Sequence, residues 1–361
     1  MSTIPQTPPI IEITGGVDTH RDTHTAAAID TSGRLLGAKQ FKATTTGYRK
    51  LLTWLTSFGS LALVGVEGTG VYGAGLTRHL QAEAIKVVEI DRPDRKMRRW
   101  QGKSDPVDAE AAARAAQAGH RTGTPKQRTG AVEALRALRV ARRSAVRQRT
   151  DTLRQMKALI ISAPEPLRAS LRTSSNPDLV TTCAAFRPDP ARLVEPATAT
   201  RAALRALARR VRNLDTEITD LDTDLAPLVA SINPDLLALN GVGTEVAGQL
   251  LVTAGQNTNR IRNEAAFAML CGIAPLPASS GQTHRHRLNR GGDRQANAAI
   301  HRIAITRLRW DPRTRAYMEK RTKEGLSKKD IIRCLKRYIA REIFTVLSKT
   351  TTPTENLQST T

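Results

Sequence analysis

The first 120 residues alternate between strand and helix signals, and this alternation limits the fold more than any other feature. The order is three strands, a helix, a strand, a helix, a strand and a helix. Such an order predicts an α/β domain with a mixed sheet, as expected of an RNase-H-like fold, over residues 10–125. The segments that carry the signals are 10–18, 24–44 (two strands around a turn), 45–59, 60–70, 71–84, 85–91 and 104–119.

The pattern becomes helical after residue 126. Residues 126–160 form a long Arg-rich helical stretch, and a Pro- and Ser-rich segment at 163–178 predicts a break. Residues 199–230 are again helical, with apolar side chains at heptad spacing. That spacing fits either a coiled-coil seam or one side of a helical hairpin packed on its own domain. We therefore predict a helical, coiled-coil-like middle region over 126–230. The apolar positions are Leu204, Leu207, Val211, Leu214, Ile218, Leu221 and Leu225.

The last region, 231–349, is predicted to be mainly α-helical. Residues 232–255 resemble a helix-hairpin-helix element with a turn at Gly241 and Gly243. Glycines allow close backbone approach, so the amides of this turn and the next helix N-terminus can receive a DNA phosphate. A tight helical turn without ligand is the alternative. The tail at 350–361 has low hydrophobicity and is predicted to be disordered.

The charge of the chain points to a polyanionic partner. The sequence has 56 Lys and Arg against 33 Asp and Glu, a formal net charge of +23, which favours nucleic acid. No stretch approaches the ~20 apolar residues that a spanning helix needs, so no membrane role is expected. The three cysteines form no CxxC motif, which is typical of a reducing cytoplasm. Composition alone is also compatible with a ribosomal or architectural binding protein.

Four carboxylates stand where a metal-dependent nuclease needs them. Asp18 ends the first strand, Glu67 ends a central strand, and Asp105 and Asp108 share one face of the last helix. Like charges gathered in this way repel each other, and divalent cations relieve the repulsion. Oxygen ligands suit Mg²⁺ or Mn²⁺ rather than Zn²⁺. Two such ions can activate a nucleophile and stabilise a leaving oxygen in phosphoryl transfer.

Each of these acids also has a simpler interpretation. Asp18 by itself fits a turn after a strand, and the Asp105–Asp108 pair fits the charge of a helix N-terminus. Only the joint pattern, in this order on these elements, favours a metal site. His20 and His24 are interpreted as orienting their neighbours or contacting phosphate rather than binding metal. Three nearby acids are interpreted as turn or surface residues: Asp22, Asp30 and Asp91.

These motifs resemble a known family. GVDTHRDTH, VGVEGTGVYG and KSDPVDAEAAARAA are similar to the three acidic blocks of the DEDD-type transposases of bacterial insertion sequences, the IS110 family. The segment GIAPLPASSGQTHRHRLNRGGDRQANAAIHRIA is similar to the second domain of that family. The resemblance covers residues 11–345 with the blocks in the family order. One departure is Arg290, which is followed by two glycines where relatives have Lys-Arg-Gly.

The resemblance implies a RuvC-like domain joined by a coiled coil to a transposase domain with a nucleophilic serine. Ser280, directly before Gly281, best matches the family serine, and Ser279 is the adjacent alternative. The four carboxylates would be catalytic and would hold the metal. The basic segment after the serine is expected to contact phosphates. Its residues are His284, Arg285, His286, Arg287 and Arg290.

The resemblance also implies partners. Family members act as dimers or tetramers, with the serine of one subunit completing the acidic site of another. They act on element ends and target DNA in the cytoplasm, at the nucleoid, and are guided by a structured bridge RNA. The Arg-rich helix at 136–157 is a candidate for backbone contacts with either nucleic acid.

Three other functions fit part of the pattern. A Holliday-junction resolvase would use the same acidic pocket with water as the nucleophile. A nucleic-acid binder with a decayed site would bind without cutting. A sugar-kinase or actin-like ATPase also begins with an Asp-bearing strand and hairpin, but the Asp105–Asp108 helix and the positive charge of the chain disfavour it.

Overall fold

The computed structural model describes residues 11–90, 104–119, 122–282 and 286–349. These residues divide into two compact units. The first unit contains the chain up to Thr129 and the later segment Ala254–Ala266. The second unit contains Gly130–Thr253 and the described part of Phe267–Thr352. The predictions for Asp91, His284, Arg285 and the tail at 350–361 lie outside the described residues.

The first unit is built on a six-stranded mixed sheet in the order β3-β2-β1-β4-β5-β6. The β1–β4 and β4–β5 pairs are parallel, and the β1–β2, β2–β3 and β5–β6 pairs are antiparallel. This confirms the predicted mixed sheet, which is consistent with an RNase-H-like domain. The strands are β1 Glu12–Thr19, β2 Thr23–Asp30, β3 Leu35–Lys42, β4 Ser60–Glu67, β5 Val87–Ile90 and β6 Thr122–Gly123. Strand β6 was not predicted, because two residues carry no periodic signal.

One face of the sheet is covered by helices α1 (Thr45–Thr56) and α2 (Ala74–Ala82). Alternate residues of the strands point toward these helices and are apolar. They pack with leucines of both helices into one core. The strand and helix residues buried in that core include Val17, Ala26, Ala28, Leu51, Leu55, Val64, Val66, Leu76 and Leu80.

Helix α3 (Asp105–Gln117) covers the opposite face through an unusually close contact. Gly16 and Gly65 are partners in the β1–β4 ladder. A Cβ atom on Gly16 would lie 2.1 Å from the backbone nitrogen of Ala113, and one on Gly65 would lie 2.7 Å from the carbonyl oxygen of Ala112. The helix backbone therefore rests directly on the two glycines. This contact fixes where the N-terminus of α3 lies relative to the ends of β1 and β4.

The second unit contains an antiparallel hairpin of two long helices, α4 (Gly130–Ile161) and α7 (Pro196–Ile232). Arg142 pairs with Asp222 and Arg149 pairs with Asp215, so residue numbers rise along one helix as they fall along the other. Several positions of the apolar heptad stripe on α7 are buried. The stripe thus lies in a helical hairpin within the chain, one of the two alternatives that its spacing allows. The buried positions are Leu204, Val211, Leu214 and Leu225.

The long helix α4 ends at Ile161, as the predicted break at 163–178 requires, but this segment is itself largely helical, which was not predicted. That segment contains the whole of helix α5 (Glu165–Leu171) and the start of α6 (Asn176–Ala184). In both helices a proline stands in the first turn, where its missing N–H costs nothing and its fixed φ suits the helix. Leu167 and Leu179 are buried in the core that closes this end of the hairpin. The prolines therefore begin helices here instead of breaking them.

The remainder of the second unit is mainly helical, as predicted. Asn233 begins α8, its side chain accepting a hydrogen bond from the Leu236 amide at 2.8 Å. In the described part of the chain, no helix is both long enough and apolar enough to cross a membrane. The elements are α8 Pro234–Leu237, α9 Thr244–Ala254, α10 Glu264–Leu270, β7 Leu276–Pro277, β8 His286–Arg287, α11 Arg294–Trp310, α12 Pro312–Lys323 and α13 Lys328–Lys349.

Candidate metal and nucleic-acid site

Asp18 and Glu67 lie at neighbouring strand ends. The last partners in the parallel β1–β4 ladder are Val17 and Val66, and each acid follows one of them. Beyond the ladder, the hydroxyl of Thr19 donates a hydrogen bond to the carbonyl oxygen of Glu67 at 2.7 Å. This bond holds the two strand ends together after the ladder stops.

Three side chains converge at this end of the sheet: Asp18, His20 and Asp105. One ligand atom from each lies within 4.8 Å of the others, and we refer to them as the Asp–His–Asp cluster. His20 Nδ1 lies 3.6 Å from Asp18 Oδ2, and His20 Nε2 lies 4.0 Å from Asp105 Oδ1. The Asp18 side chain is nearly buried, whereas that of Asp105 is 44% exposed. A buried and an open carboxylate that face each other can hold a divalent cation accessible to a substrate.

The other two predicted acids occupy adjoining positions. Asp108 lies on α3 near Asp105 and is buried. Glu67 stands two residues after Gly65, so strand alternation places it on the face that α3 covers. Neither belongs to the Asp–His–Asp cluster among the described residues. Their roles as metal ligands stay predictions.

His20 is the member of the cluster that the sequence interpretation did not count as a ligand. It lies two residues beyond Asp18, just after β1 ends at Thr19. Outside a strand, the alternation of side chains no longer tells where a residue points. Its position beside two acids is therefore a property of the tertiary structure.

His24 has a different environment. It is fully buried on β2, and its ring stacks on Tyr48 with centroids 5.6 Å apart. Burial lowers the pKa of His24 below its usual value of 6.5. Full burial argues against the predicted phosphate contact, and the alternative orienting role stays a prediction.

An open cleft of about 510 Å³ adjoins Asp105. Thr25 at its base is the ladder partner of Asp18 on β2. Lys39 contributes a positive charge on β3. The cleft is open to solvent next to the cluster, and Lys39 lies among its lining residues as a counter-charge to Asp105. Its lining residues are Thr25, Ala38, Lys39, Gln40, Ser104, Asp105 and Pro106.

The loop after Glu67 is anchored by a buried contact. Thr69 is buried, and its hydroxyl donates a 2.5 Å hydrogen bond to Glu89 Oε1 on β5. Arg260, from the later segment of the first unit, has its pKa lowered by burial, which the nearby charge of Glu89 partly opposes. Sequence reasoning missed this group, because its members are far apart in the chain.

Ser280, the predicted nucleophile, lies in the second unit. Ser279 and Ser280 are both exposed, and Gly281 follows in a left-handed conformation with φ +54°. Arg287 on β8 and Arg290 are also exposed. A hydroxyl and cations at the surface are available to a nucleic acid, but their role stays a prediction.

The turn predicted at Gly241 and Gly243 contains one glycine, Gly241, in a left-handed conformation. Gly241 has φ +75°, and the side chain of Arg307 donates a 2.8 Å hydrogen bond to the carbonyl of Asn240 just before it. A Cβ on Gly243 would meet nothing within 4 Å, so its backbone is open to a ligand. The helix before the turn, α8, is only 4 residues long. A phosphate contact at this turn stays a prediction.

Two family profiles match the segments of the chain that carry the predicted site residues. A profile described as transposase, for the DEDD enzymes of the IS110 group, matches residues 15–162, which hold all four predicted acids. A profile described as the transposase IS116/IS110/IS902 family matches residues 234–319, which hold Ser280.

A relative with a similar sequence is also a protein of an insertion element. The Insertion element IS110 uncharacterized 43.6 kDa protein of Streptomyces coelicolor is 35% identical over 95 residues. The match spans 26% of this chain and 23% of that protein's length. The mixed sheet with its acidic end and the matched profiles together define a DEDD-type transposase. Within that class, the chain belongs to the IS110 family.

Proposed function

We propose that this protein is the transposase of an insertion sequence, which cuts and rejoins DNA strands by metal-assisted phosphoryl transfer. The observation that carries the proposal is the Asp–His–Asp cluster. It lies at the end of the central strands, inside the segment that matches the DEDD profile. The net charge of +23 adds the electrostatic attraction that a DNA substrate requires.

The four acids Asp18, Glu67, Asp105 and Asp108 would hold Mg²⁺ or Mn²⁺. Their oxygen atoms suit these ions, and the bound charge would relieve the repulsion between carboxylates. When bound, the metal supplies polarisation of the scissile phosphate. The open carboxylate of Asp105 would face the substrate, while the buried carboxylate of Asp18 anchors the ion from within.

Ser280 would be the nucleophile. Its hydroxyl would lose its proton as the oxygen forms a bond to phosphorus, while the bond from phosphorus to a deoxyribose oxygen breaks and that oxygen takes up a proton and leaves as a hydroxyl. The resulting phosphoserine conserves the energy of the bond, so attack by another DNA hydroxyl can rejoin the strand. A serine hydroxyl is a weak nucleophile and requires activation. Its exposure and its match to the family motif support this role.

The proposed partners are element-end and target DNA, a bridge RNA, and further copies of the chain in a homodimer or homotetramer. Within the Arg-rich helix, exposed Arg143, Arg147 and Lys157 form no ion pair with the described residues. These cations are the ones available to a nucleic-acid backbone, where their contacts would release counterions.

The test is recombination of a marked element by the wild type and by variants, with and without the RNA encoded beside the gene. Asp105→Ala should lose strand cleavage. Ser280→Ala should lose both strand exchange and the covalent protein–DNA adduct, while the matched control Ser279→Ala keeps them. Cleavage that persists in Ser280→Ala would identify a resolvase that uses water. Normal recombination by Asp105→Ala would contradict the metal site.

A further inference from the structure

The loop of residues 68–73, directly after Glu67, carries two adjacent exposed apolar side chains. Val71 is 72% exposed and Tyr72 is 52% exposed. Single exposed apolar residues are common and need no explanation. Here, however, two stand together beside a predicted metal ligand, in a chain with only 3% aromatic residues.

This exposure does not come from a loosely held loop. The amides of Val71 and Gly73 both donate hydrogen bonds to the carbonyl of Gly68, at 3.1 Å and 3.3 Å. Gly68 has φ +72°, a left-handed conformation that glycine adopts without strain. The buried hydrogen bond from Thr69 to Glu89 ties the loop to β5. The loop therefore closes on itself and presents Tyr72 outward.

The loop that carries Tyr72 packs on Thr19, which is next in the chain to Asp18 and His20. A Cβ on Gly73 would lie 3.1 Å from Thr19 Cγ2, so the loop packs on Thr19. Thr19 stands between Asp18 and His20 in the chain and bonds to the carbonyl of Glu67. The Cα atom of Tyr72 is one residue, about 3.8 Å, from that of Gly73.

The sheet order places Tyr72 and the cleft beside Asp105 on opposite sides of Asp18. The cleft lies over β2 and β3, Asp18 ends β1, and the loop follows β4, in the order β3-β2-β1-β4. Adjacent strands are about 4.8 Å apart, so β2 and β4 are separated by about 10 Å. That distance corresponds to about three nucleotides of a stacked strand. A nucleic-acid strand that runs from the cleft across the end of β1 would therefore meet the loop that carries Tyr72.

We propose that Tyr72 stacks on a base of the DNA strand next to the scissile phosphate and thereby sets the register of that strand over the Asp–His–Asp cluster. The inference rests on the proposed function. Every base has a face on which a phenol ring can stack, so such a contact tolerates any sequence. To stack on Tyr72, the base must unstack from the adjacent base of its strand. The apolar side chain of Val71 favours this unstacking by covering the edge of the base that becomes exposed. Tyr72 is therefore a positioning residue for cleavage and does not select the DNA sequence.

Base stacking is tested by 2-aminopurine fluorescence with full-length protein. The probe is an element-end DNA with 2-aminopurine next to the cleavage position, bound in the presence of the bridge RNA and a metal chelator so that no strand is cut. Wild type and Tyr72→Phe should quench the fluorescence on binding. Tyr72→Leu, which keeps apolar volume without a ring, should not. The control Tyr338→Leu, at another half-exposed tyrosine, should behave as wild type.

Cleavage provides the second readout. Tyr72→Leu should cut about tenfold more slowly and at more than one position, as expected for the loss of one stacked base. Tyr72→Phe should cut at the single wild-type position. Tyr72 is exposed, so unfolding temperatures should be unchanged and serve as a check on folding.

The outcomes separate this inference from the proposed function. If Asp105→Ala is inactive but Tyr72→Leu quenches and cuts as the wild type does, the role of Tyr72 is contradicted and the metal site stands. If Tyr72→Phe loses quenching as Tyr72→Leu does, stacking is also contradicted. If Asp105→Ala cuts normally, the proposed function fails whatever Tyr72 does.

Discussion

The acidic site of the first unit and the serine loop of the second unit differ in how they are built. Asp18 and Asp105 stand at the ends of a strand and a helix that are locked together by the contact of α3 with Gly16 and Gly65. Ser280 stands in an exposed loop between two-residue strands. Regular elements hold catalytic groups more precisely than loops do. The comparison indicates that regular elements pre-organise the acidic residues, whereas only an exposed loop holds the proposed nucleophile Ser280.

The largest effect on cleavage is expected from removing one of the acids of the first unit. Asp18→Asn keeps the size of the side chain but loses its charge, so DNA cleavage should fall by at least about 100-fold. Mg²⁺ should also lose its stabilising effect, because an ion that binds only the folded state at 100 times its Kd stabilises it by about 2.7 kcal/mol. Thermal unfolding with and without Mg²⁺ measures this.

The matched control is Asp22→Asn, since the Asp22 carboxylate is 87% exposed. It should retain cleavage and the Mg²⁺ effect. A Mg²⁺-induced stabilisation that survives in Asp18→Asn would contradict pre-organisation of the acidic residues.

A smaller effect should follow from disturbing the packing beneath the acids. Gly16→Ala would place a Cβ 2.1 Å from the backbone of α3, so the helix must shift. Overpacking of this kind costs typically about 1–3 kcal/mol. Urea unfolding should show that loss, and cleavage should fall with it because Asp105 moves with the helix.

Gly123→Ala is the control, because its Cβ would meet nothing within 4 Å. Its stability should stay close to that of the wild type. Equal stability of the two variants would show that the glycine contact does not position α3.

Removing the hydrogen bond between the ends of β1 and β4 should reduce the rate of cleavage more than it reduces the free energy of unfolding. Thr19→Val keeps the shape of the side chain but removes the hydroxyl that bonds to the carbonyl of Glu67. A hydrogen bond of this kind contributes about 1 kcal/mol to folding. We expect that loss in urea unfolding together with slower cleavage, and rescue of both by Thr19→Ser. Slow cleavage in Thr19→Ser as well would exclude the hydroxyl as the cause.

The smallest effects are expected from replacing cations of α4. These cations fall into two groups, those that pair with an acid and those that have no ion pair with the described residues. Arg147→Gln removes an exposed cation that has no ion pair with the described residues, so nucleic-acid affinity should fall and the slope of its salt dependence should decrease by about 1. Arg149→Gln breaks the pair with Asp215 and should change that slope less. The pair is partly exposed, so its loss should cost under about 1 kcal/mol. Binding titrations over a range of salt concentrations measure both, and identical slopes would contradict the division.

The arginines of α4 show where sequence reasoning reached its limit. The helix was predicted from its pattern, but most of its cations pair with acids, several of them far along the chain. Their distribution cannot be read from local periodicity, because it depends on which helix packs alongside. The pairs are Arg136–Glu133, Arg139–Glu245, Arg142–Asp222, Arg149–Asp215 and Arg154–Asp151.

The sequence by itself determined the order of elements in the first unit and the placement of the acids on them. Strand alternation, helix periodicity and the position of Asp105 and Asp108 in a first helical turn are local signals, encoded within a few residues. The same local signals predicted the end of α4 before 163–178 but missed the two short helices that follow, because a proline that breaks a helix interior can also begin a helix.

Only the tertiary structure decided which side chains meet. His20 joins Asp18 and Asp105 because α3 rests on Gly16 and Gly65, glycines that are distant in the chain from Ala113 and Ala112 on the helix. Tyr72 is exposed in a loop that closes on Gly68 and packs on Thr19, the residue between Asp18 and His20. Such contacts depend on the packing of distant elements, and no local pattern in the chain specifies them.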